Sequence, residues 1–196
     1  MKIIIVDTGC ANLYSLKIAI QKIGYTPIIT KDINIILKAD KLILPGVGTV
    51  LFGMKTLYAL NLIKVIQSFK NPVLGICLGM QLFCSDSEES YGVKMLNIIQ
   101  DSLIKFKNDD LSVPHTGWNT VIFNENHILS KGIEQESYFY FVHSYMLNIN
   151  QYTISHSYYG VYFSSIIQKD NFFGVQFHPE KSGFLGSTLL KNFLEI

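Results

Sequence analysis

The chain contains 196 residues, of which 48% are hydrophobic and 16% are charged, and its formal net charge is +1. A chain of this length suits one domain, which is expected to span residues 1–196. It is long enough to bury a core without disulfides. The composition excludes a disordered chain. The near-neutral charge provides no basic field for nucleic acid, so small molecules and other proteins are the expected ligands.

The three cysteines, Cys10, Cys77 and Cys84, are an odd number without C-x-x-C spacing. This pattern indicates neither a disulfide framework nor a zinc site, so no metal is expected and a reducing cytoplasm is the expected location. Cys10 in the first loop and Cys84, expected further along the helix that follows Cys77, are interpreted as inert structural residues. The opening segment MKIIIVD is far shorter than a membrane span of about 20 residues, and it predicts a buried first strand.

Short aliphatic runs alternate with helical patterns in the first half of the chain. In order, they predict a strand at 2–6, a helix at 12–24, aliphatic segments at 26–30, 33–40 and 41–45, a helix from about 50 to 70, and a strand at 72–76. The apolar runs are continuous rather than alternating. They therefore predict strands buried on both faces, as in a parallel sheet covered by helices.

After residue 100 the pattern changes to strands linked by irregular segments. These strands are predicted at 102–106, 119–123, 138–142, 152–157, 161–168 and 172–177, and a helix at 186–195 closes the chain. There is no internal repeat or Pro/Gly/Ser-rich linker. We therefore expect a single α/β domain with an open, mixed, mostly parallel sheet and helices on both faces.

The segment GICLGMQ, residues 75–81, places Cys77 between a predicted strand and a predicted helix. This is the setting of a nucleophile elbow, with G-x-C-x-G in place of G-x-S-x-G. Gly75 and Gly79 would allow close backbone packing, and a helix N-terminus favours the thiolate. The amide of Leu78 would be an oxyanion donor. On these seven residues alone, a structural turn around a buried cysteine explains the pattern equally well.

A nucleophilic cysteine needs a base, and His178 is the strongest candidate among the five histidines. It follows the apolar run FFGVQF and opens HPE, with Glu180 two residues later. Residues two apart in an extended segment point the same way, so the carboxylate is predicted to lie near the imidazole and to orient it. The alternative is a surface turn with no catalytic role. The cysteine elbow favours the catalytic interpretation.

The segment LPGVG, residues 44–48, ends a predicted strand with a glycine-rich turn. Such a turn is either a plain connector or a source of amides aimed into the crevice of an open α/β sheet. The sequence contains neither G-x-x-x-x-G-K nor G-x-G-x-x-G, so no nucleotide cofactor is predicted.

The elbow cysteine, the glycine loop and the late HPE occur in an order that resembles the class I, triad-type glutamine amidotransferases. Within that family, the motifs are most similar to the glutaminase subunits of imidazole glycerol phosphate synthase, which serve histidine biosynthesis. The motifs that carry this resemblance are DTGCANLYS (7–15), LPGVGT (44–49), GICLGMQ (75–81), PHTGWN (114–119), YFVHSY (140–145) and QKDNFFGVQFHPEKSG (168–183). The resemblance implies a flavodoxin-like α/β fold and covers nearly the whole chain.

The resemblance also implies a role for each matching residue. Cys77 would attack the carboxamide of glutamine, His178 would be the general base and acid, and Glu180 would orient His178. The products would be ammonia and a thioester that water hydrolyses to glutamate. The implied oxyanion donors are the amides of Val47 and Leu78. The implied glutamine-binding residues are Gly48, Gln81, His143, Ser144 and Tyr145.

A protein partner is implied as well. Asn12, His115, Trp118 and Lys181 match interface positions that face a (β/α)₈-barrel cyclase subunit in a heterodimer. That partner would receive the ammonia through an internal channel and make imidazole glycerol phosphate and aminoimidazole carboxamide ribotide. No cofactor, nucleic acid or membrane is implied. The sequence departs from the family's commoner motifs at Cys10–Ala11 and at Thr116. Both positions lie in loops that would face the barrel.

Two rival interpretations remain open on the sequence. One is the glutaminase of another class I amidotransferase, although PHTGWN and HPEKSG argue against it. The other is a catalytically silent, glutamine-binding regulatory subunit, since a fold does not prove activity. The presence of all three triad residues argues against a silent subunit.

Overall fold

The computed structural model describes residues 1–9, 12–107, 111–123 and 127–196. The first half contains β1 (Ile3–Val6), α1 (Leu13–Lys22), β2 (Ile28–Thr30), α2 (Ile33–Ile36), β3 (Lys41–Gly46), α3 (Val50–Ala59), α4 (Ile63–Gln67), β4 (Val73–Cys77) and α5 (Leu78–Gln81). The second half contains β5 (Asp86–Ser87), β6 (Ser102–Lys105), β7 (His115–Phe123), β8 (Glu136–His143), β9 (Tyr145–Leu147), β10 (Thr153–Tyr159), β11 (Val161–Lys169), β12 (Phe172–Val175) and α6 (Gly183–Leu194). The predictions for Cys10 and for the Cys10–Ala11 departure lie outside the described residues.

The main sheet of the described residues has nine strands in the order β2-β1-β3-β4-β12-β11-β10-β7-β8. The strands from β2 to β12 pair in parallel, and the pairings from β12 to β8 are antiparallel. Only β11 and β7 run against the other seven strands of this sheet, so it is mixed and mostly parallel in direction. The predicted α/β sheet is therefore confirmed.

Helices cover the two faces of the parallel half, as predicted. Alternate side chains of β1 enter different cores, because successive residues of a strand point to opposite faces. Ile3 and Ile5 pack in the same core as the buried residues of α1 and α6. Ile4 and Val6 pack in a second core with buried residues of α2, α3, α4 and α5.

The antiparallel strands bring the edge strand β8 back to the segment that follows β12. The amide of His178 donates a hydrogen bond to the carbonyl of Tyr140 at 2.9 Å, and the amide of Tyr140 donates to Oγ of Ser182 at 3.0 Å. Three strands separate β12 from β8 in the sheet order. These hydrogen bonds nevertheless join β8 to the segment that begins at His178. This return allows residues at the end of β8 to form one wall of the site.

Three local predictions needed correction. The predicted helix from about 50 to 70 is divided into α3 and α4, because Asn61 adopts a left-handed φ of 55° just after α3 ends. The predicted strand at 102–106 belongs to a separate three-stranded sheet, β5-β6-β9, rather than to the main sheet. Its neighbours β5 and β9 have only two and three residues, too few to form a recognisable pattern.

The third correction concerns Cys84. The elbow helix α5 ends at Gln81, so Cys84 lies beyond this helix and not further along it. Its side chain is buried and free, and burial raises the pKa of its thiol. These properties agree with the predicted inert role.

Within the described part of the chain, no helix has both the length and the apolar character that crossing a bilayer requires.

Candidate active site

Cys77 occupies a strained backbone position at the junction of β4 and α5. Its φ of 53° and ψ of −110° are unusual for a residue with a side chain, and such conformations cost about 1–3 kcal/mol. The strain is held by close packing of the flanking glycines. A Cβ at Gly75 would lie 2.7 Å from backbone atoms of Gly79 and Met80, and one at Gly79 would overlap the carbonyl oxygen of Leu44. The predicted nucleophile elbow is therefore present, and its glycines are sterically required.

His178 and Glu180 form a buried pair beside the elbow. Nδ1 of His178 lies 2.8 Å from Oε1 of Glu180, and only 3% and 6% of the two side chains are exposed. The predicted proximity is confirmed, but its local cause differs from the extended segment that we expected. His178 is extended, whereas Pro179–Lys181 forms a 3₁₀ turn that folds the carboxylate back toward the imidazole.

The protonation of His178 is governed by opposing effects. Burial lowers its pKa, but hydrogen bonding and charge interactions with Cys77 and Glu180 outweigh burial and raise the pKa to about 10. Among the described residues, Nε2 of His178 has no hydrogen bond of good geometry, so its interaction with the Cys77 sulfur is close but loosely aligned. Loose catalytic hydrogen bonds are common in enzymes without substrate. The site therefore favours an imidazolium ring next to the sulfur.

A cavity of about 270 Å³ opens over Cys77 and His178. Its lining includes every residue that we predicted for the oxyanion and for glutamine, namely Val47, Gly48, Leu78, Gln81, His143, Ser144 and Tyr145. Glu180 does not line this cavity and reaches it through His178. The predicted residues, from four separate parts of the chain at 47–48, 77–81, 143–145 and 178, thus converge on one small space.

The glycine loop lies next to the elbow because β3 and β4 are parallel neighbours, with Gly46 paired to Cys77. Val47 follows the strand with 41% of its surface exposed, and Gly48 has a φ of 96°. A positive φ of this size favours glycine. The loop therefore lines the cavity beside the sulfur.

Three residues that line the cavity, Glu89, Pro114 and Val142, were not predicted from the sequence. Glu89 is the one acidic side chain among the described lining residues. Its Oε2 accepts a hydrogen bond from the amide of Val50 at 2.6 Å, at the start of α3. No motif marks Glu89 in the sequence, because it stands in the polar run SDSEES beside Asp86 and Glu88, and an acidic residue in such a run resembles any solvated residue.

Three of the four predicted interface residues lie at the surface. Asn12 caps α1 by accepting a hydrogen bond from the amide of Ser15 at 3.2 Å, and Trp118 is 57% exposed. The exposed Lys181 holds its Nζ 5.5 Å from the ring centroid of Tyr140. The ring of Tyr140 also contacts Trp118 edge-on.

The fourth predicted interface residue, His115, is not at the surface. It is only 3% exposed, and its ring stacks on Tyr159 with the centroids 4.0 Å apart. Its Nδ1 lies 3.0 Å from Nε2 of His143. The inward alternation of β7 causes this burial, so the side chain of His115 lies among Phe141, Tyr159 and His143 rather than at the surface.

The described residues contain no group of three or more His, Cys, Asp or Glu side chains that could hold a metal ion. The described polar side chains that line the cavity are instead a thiol, two imidazoles, one carboxamide, one carboxylate and the hydroxyl groups of Ser144 and Tyr145. This set suits covalent acyl transfer from a carboxamide.

The family model of "Glutamine amidotransferase class-I" matches residues 4–196, nearly the whole chain. The chain is a class I glutamine amidotransferase. Two full-length relatives of this amidotransferase carry the name "Imidazole glycerol phosphate synthase subunit HisH". The protein of Buchnera aphidicola subsp. Acyrthosiphon pisum is 59% identical and that of Salmonella typhimurium is 52% identical, with 100% of both chains covered in each case.

Solved structures support the fold of this amidotransferase. A glutamine amidotransferase of Thermotoga maritima has a TM-score of 0.66 at 16% identity, covering 100% of this chain and 81% of that one. The glutaminase domain of Trypanosoma brucei CTPS, with acivicin bound, has a TM-score of 0.70 at 15% identity, covering 100% of this chain and 94% of that one. At these identities the likeness shows a shared fold.

Proposed function

We propose that this chain, acting as one domain over residues 1–196, is the glutaminase subunit of imidazole glycerol phosphate synthase. The observation that carries the proposal is the convergence of Cys77, His178 and Glu180 beside one cavity, on the strained elbow that a nucleophile requires. Full-length relatives at 52% to 59% identity that bear the name of this subunit support the choice among amidotransferases.

The reaction begins with the thiolate of Cys77, which attacks the side-chain carbonyl carbon of glutamine. A C–S bond forms, and the carbonyl oxygen becomes an oxyanion. His178, as imidazolium, donates its proton to the side-chain nitrogen, so the C–N bond breaks and ammonia leaves. A γ-glutamyl thioester remains on Cys77. Neutral His178 then takes a proton from water, the hydroxide displaces the sulfur, and glutamate is released.

Two backbone amides are proposed to hold the oxyanion. The amide of Leu78 follows the nucleophile at the start of α5, and that of Val47 belongs to the glycine loop on the neighbouring strand. Donors fixed before the reaction stabilise developing charge without reorganisation, and losing one costs about 3–4 kcal/mol in other hydrolases. Glu180 keeps the Nδ1–H of His178 toward itself, so that Nε2 serves the sulfur and the substrate.

The rest of the cavity is proposed to bind the amino-acid end of glutamine. Glu89 would pair with the α-ammonium group, since it is the acidic side chain that the described lining offers. Ser144 and the backbone of the segment from His143 to Tyr145 would contact the α-carboxylate, and Gly48 leaves room beside it. Gln81, buried at the base of the cavity, would hold the shape of this wall.

The ammonia is proposed to pass to a (β/α)₈-barrel cyclase subunit in a heterodimer, which would make imidazole glycerol phosphate and aminoimidazole carboxamide ribotide. Asn12, Trp118 and Lys181 are the proposed contacts with it, and no cofactor is required of this subunit. The cytoplasm is the proposed location, because the reaction requires a free thiol and both described cysteines are unpaired.

The test is glutamate release from glutamine by the purified chain, alone and with its cyclase subunit. We expect glutamate in both cases, with a higher rate in the complex. A catalytically silent subunit would release none under either condition, and full turnover without the cyclase would argue for a stand-alone glutaminase.

A further inference from the structure

Gln176, a residue to which the sequence assigned no role in the site, lies directly behind the catalytic sulfur. It follows β12 and is completely buried. Its Nε2 donates a hydrogen bond to Sγ of Cys77 at 3.8 Å, and its Oε1 accepts one from Nε2 of Gln81 at 3.0 Å. The sulfur has a second contact at 3.8 Å, in which the thiol donates to the carbonyl oxygen of Val142.

These two contacts of the sulfur respond differently to loss of the thiol proton. A carbonyl oxygen can only accept, so the contact with Val142 requires the S–H group. An N–H donor becomes a stronger partner when its acceptor is negatively charged. The contact with Gln176 therefore survives in the thiolate and is strengthened there, whereas the contact with Val142 is lost.

The orientation of the Gln176 carboxamide is fixed by its neighbours. Nε2 of Gln81 also donates to the carbonyl oxygen of Tyr145 at 3.1 Å, which is an acceptor only. Because Gln81 must therefore present its nitrogen, the facing atom of Gln176 must be its oxygen. The remaining end of Gln176, its N–H, points at the sulfur. A flipped carboxamide would aim an oxygen at the thiolate and two N–H groups at each other.

The same carbonyl of Tyr145 continues the line of hydrogen bonds in the other direction. Nδ1 of His143 donates to it at 2.9 Å, so the neutral ring has an accepting Nε2. The Nδ1 of His115, 3.0 Å away, must then be the donor, which leaves Nε2 of His115 to accept from Nδ2 of Asn119 at 3.3 Å. We call this line, Gln176–Gln81–Tyr145–His143–His115–Asn119, the polar array.

The far end of the polar array is fixed independently. Oδ1 of Asn119 accepts from the amide of Thr120 at 2.8 Å, and its Nδ2 donates to the carbonyl of Tyr158 at 3.0 Å. Asn119 therefore presents an N–H to His115. The same direction follows from the Tyr145 end of the array, where Nε2 of His115 must be an acceptor. Burial, the largest cause in each case, lowers the pKa of His115 to about 4 and that of His143 to about 3, so both rings are neutral at physiological pH.

We propose that Gln176 is a positioning residue for the nucleophile, and that the polar array keeps its carboxamide turned so that one N–H is aimed at the Cys77 sulfur. This inference rests on the proposed role of Cys77. At the other end of the array, His115 and His143 hold in place the carbonyl of Tyr145, which orients Gln81 and, through it, Gln176. The carbonyls of Tyr145 and Tyr158 can only accept hydrogen bonds, and the amide of Thr120 can only donate one. These three backbone groups set the direction of the hydrogen bonds in the array.

The test replaces Gln176 with methionine, which keeps the length of the side chain and removes both hydrogen bonds. The readout is the rate at which iodoacetamide alkylates Cys77 at pH 7 in the complex with the cyclase, measured by mass spectrometry of the peptide that contains Cys77. We expect Gln176→Met to slow this alkylation and kcat of glutamine hydrolysis by about tenfold or more, as for loss of a hydrogen bond to a charged group. Unchanged alkylation in the folded variant overturns the proposal.

The matched control is Val175→Ala, the preceding residue, which packs in the core with α1 and α6 and forms no hydrogen bond with the sulfur among those described. It destabilises β12, the strand that Gln176 follows, and we expect its alkylation rate to equal that of the native chain. An equal loss in both variants would show that Gln176 acts only through folding and would overturn the proposal.

A second pair of variants tests the orientation supplied by the array without changing Gln176. His115→Leu removes the donor to His143, whereas His115→Asn places an amide N–H near the former Nδ1. We expect alkylation of Cys77 to slow by a few-fold in His115→Leu and to recover in His115→Asn. Equal rates in the two variants would overturn the role of the array. If the native complex releases no glutamate, the proposed function fails instead.

Discussion

The parallel half of the main sheet, from β2 to β12, and its antiparallel extension, from β11 to β8, contribute to the site in different ways. The parallel half carries the elbow cysteine and the glycine loop at the ends of β4 and β3, and His178 follows β12. The extension carries His143 at the end of β8 and the exposed Trp118 on β7. The proposed reacting groups thus come from one half. The other half provides a wall of the cavity and the exposed aromatic surface.

This division has a geometric cause. Neighbouring parallel strands end at the same edge of the sheet. The groups that follow β3, β4 and β12 therefore lie close together as a direct result of the strand order. Within the extension, β8 runs in the same direction as β4 and so ends at the same edge, and its return to the segment after β12 brings the carbonyl of Val142 to the sulfur. Changes in the parallel half should therefore affect chemistry, and changes in the extension should affect binding and orientation.

The largest expected effect is that of Cys77→Ala. In the complex with the cyclase it should reduce glutamine-dependent synthesis by more than about a thousandfold, because no other group can form the thioester. Synthesis from added ammonium should remain, since the proposed function places the production and the use of ammonia in different subunits. Both rates are measured on the same preparation. Loss of both activities in an assembled complex would contradict the separation.

Glu180→Gln should have the next largest effect, with a fall in kcat of about a hundredfold or more, because the imidazole loses its orienting charge. It should also change the pH profile. Imidazolium must protonate the departing nitrogen, so activity is present below the pKa of His178 and is lost as the pH rises through it. Although burial lowers that pKa, Cys77 and Glu180 raise it to about 10. Removing the carboxylate charge should move the alkaline limb to lower pH, and an unmoved limb would exclude His178 as the acid.

Glu89→Gln distinguishes binding from chemistry within the cavity. The amide oxygen can still accept the hydrogen bond from Val50, so the substitution removes little except the charge. KM for glutamine should rise by about tenfold to a hundredfold with a smaller change in kcat, as for loss of uniform binding. Steady-state glutaminase kinetics measure both constants. A fall in kcat at constant KM would show that Glu89 does not hold the ammonium group.

The same two halves explain how far the sequence could be interpreted. The elbow, the glycine loop and the pairing of His178 with Glu180 depend on residues close in the chain, so their motifs predicted them. The burial of His115 depends on the register of β7 against β8, which pairs it with His143, and on the return of β8 to Cys77. Nothing local to PHTGWN contains that information, and an interface role was therefore predicted.

Gln176 shows the same limit in the parallel half. Within FFGVQF it is one polar residue in an apolar run, which predicts burial but not a partner. Its contact with Cys77 spans 99 positions of the chain, and its orientation depends on Gln81, 95 positions away. Such a role becomes visible only when the donors and acceptors of both segments are placed together.

The smallest expected effect belongs to the antiparallel extension. Trp118→Ala removes a large, 57% exposed ring that contacts Tyr140, beside Lys181. If this surface binds the cyclase, the Kd of the complex should rise by about tenfold, since exposed aromatic anchors typically contribute about 1–2 kcal/mol or more. Tyr58→Ala is the control, because Tyr58 is 76% exposed on α3, away from these rings, and should leave Kd unchanged. Titration calorimetry measures both. If the Trp118→Ala variant and the native chain bind the cyclase equally well, the cyclase binds another face. The extension would then contribute only the wall of the cavity from His143 to Tyr145 and the polar array.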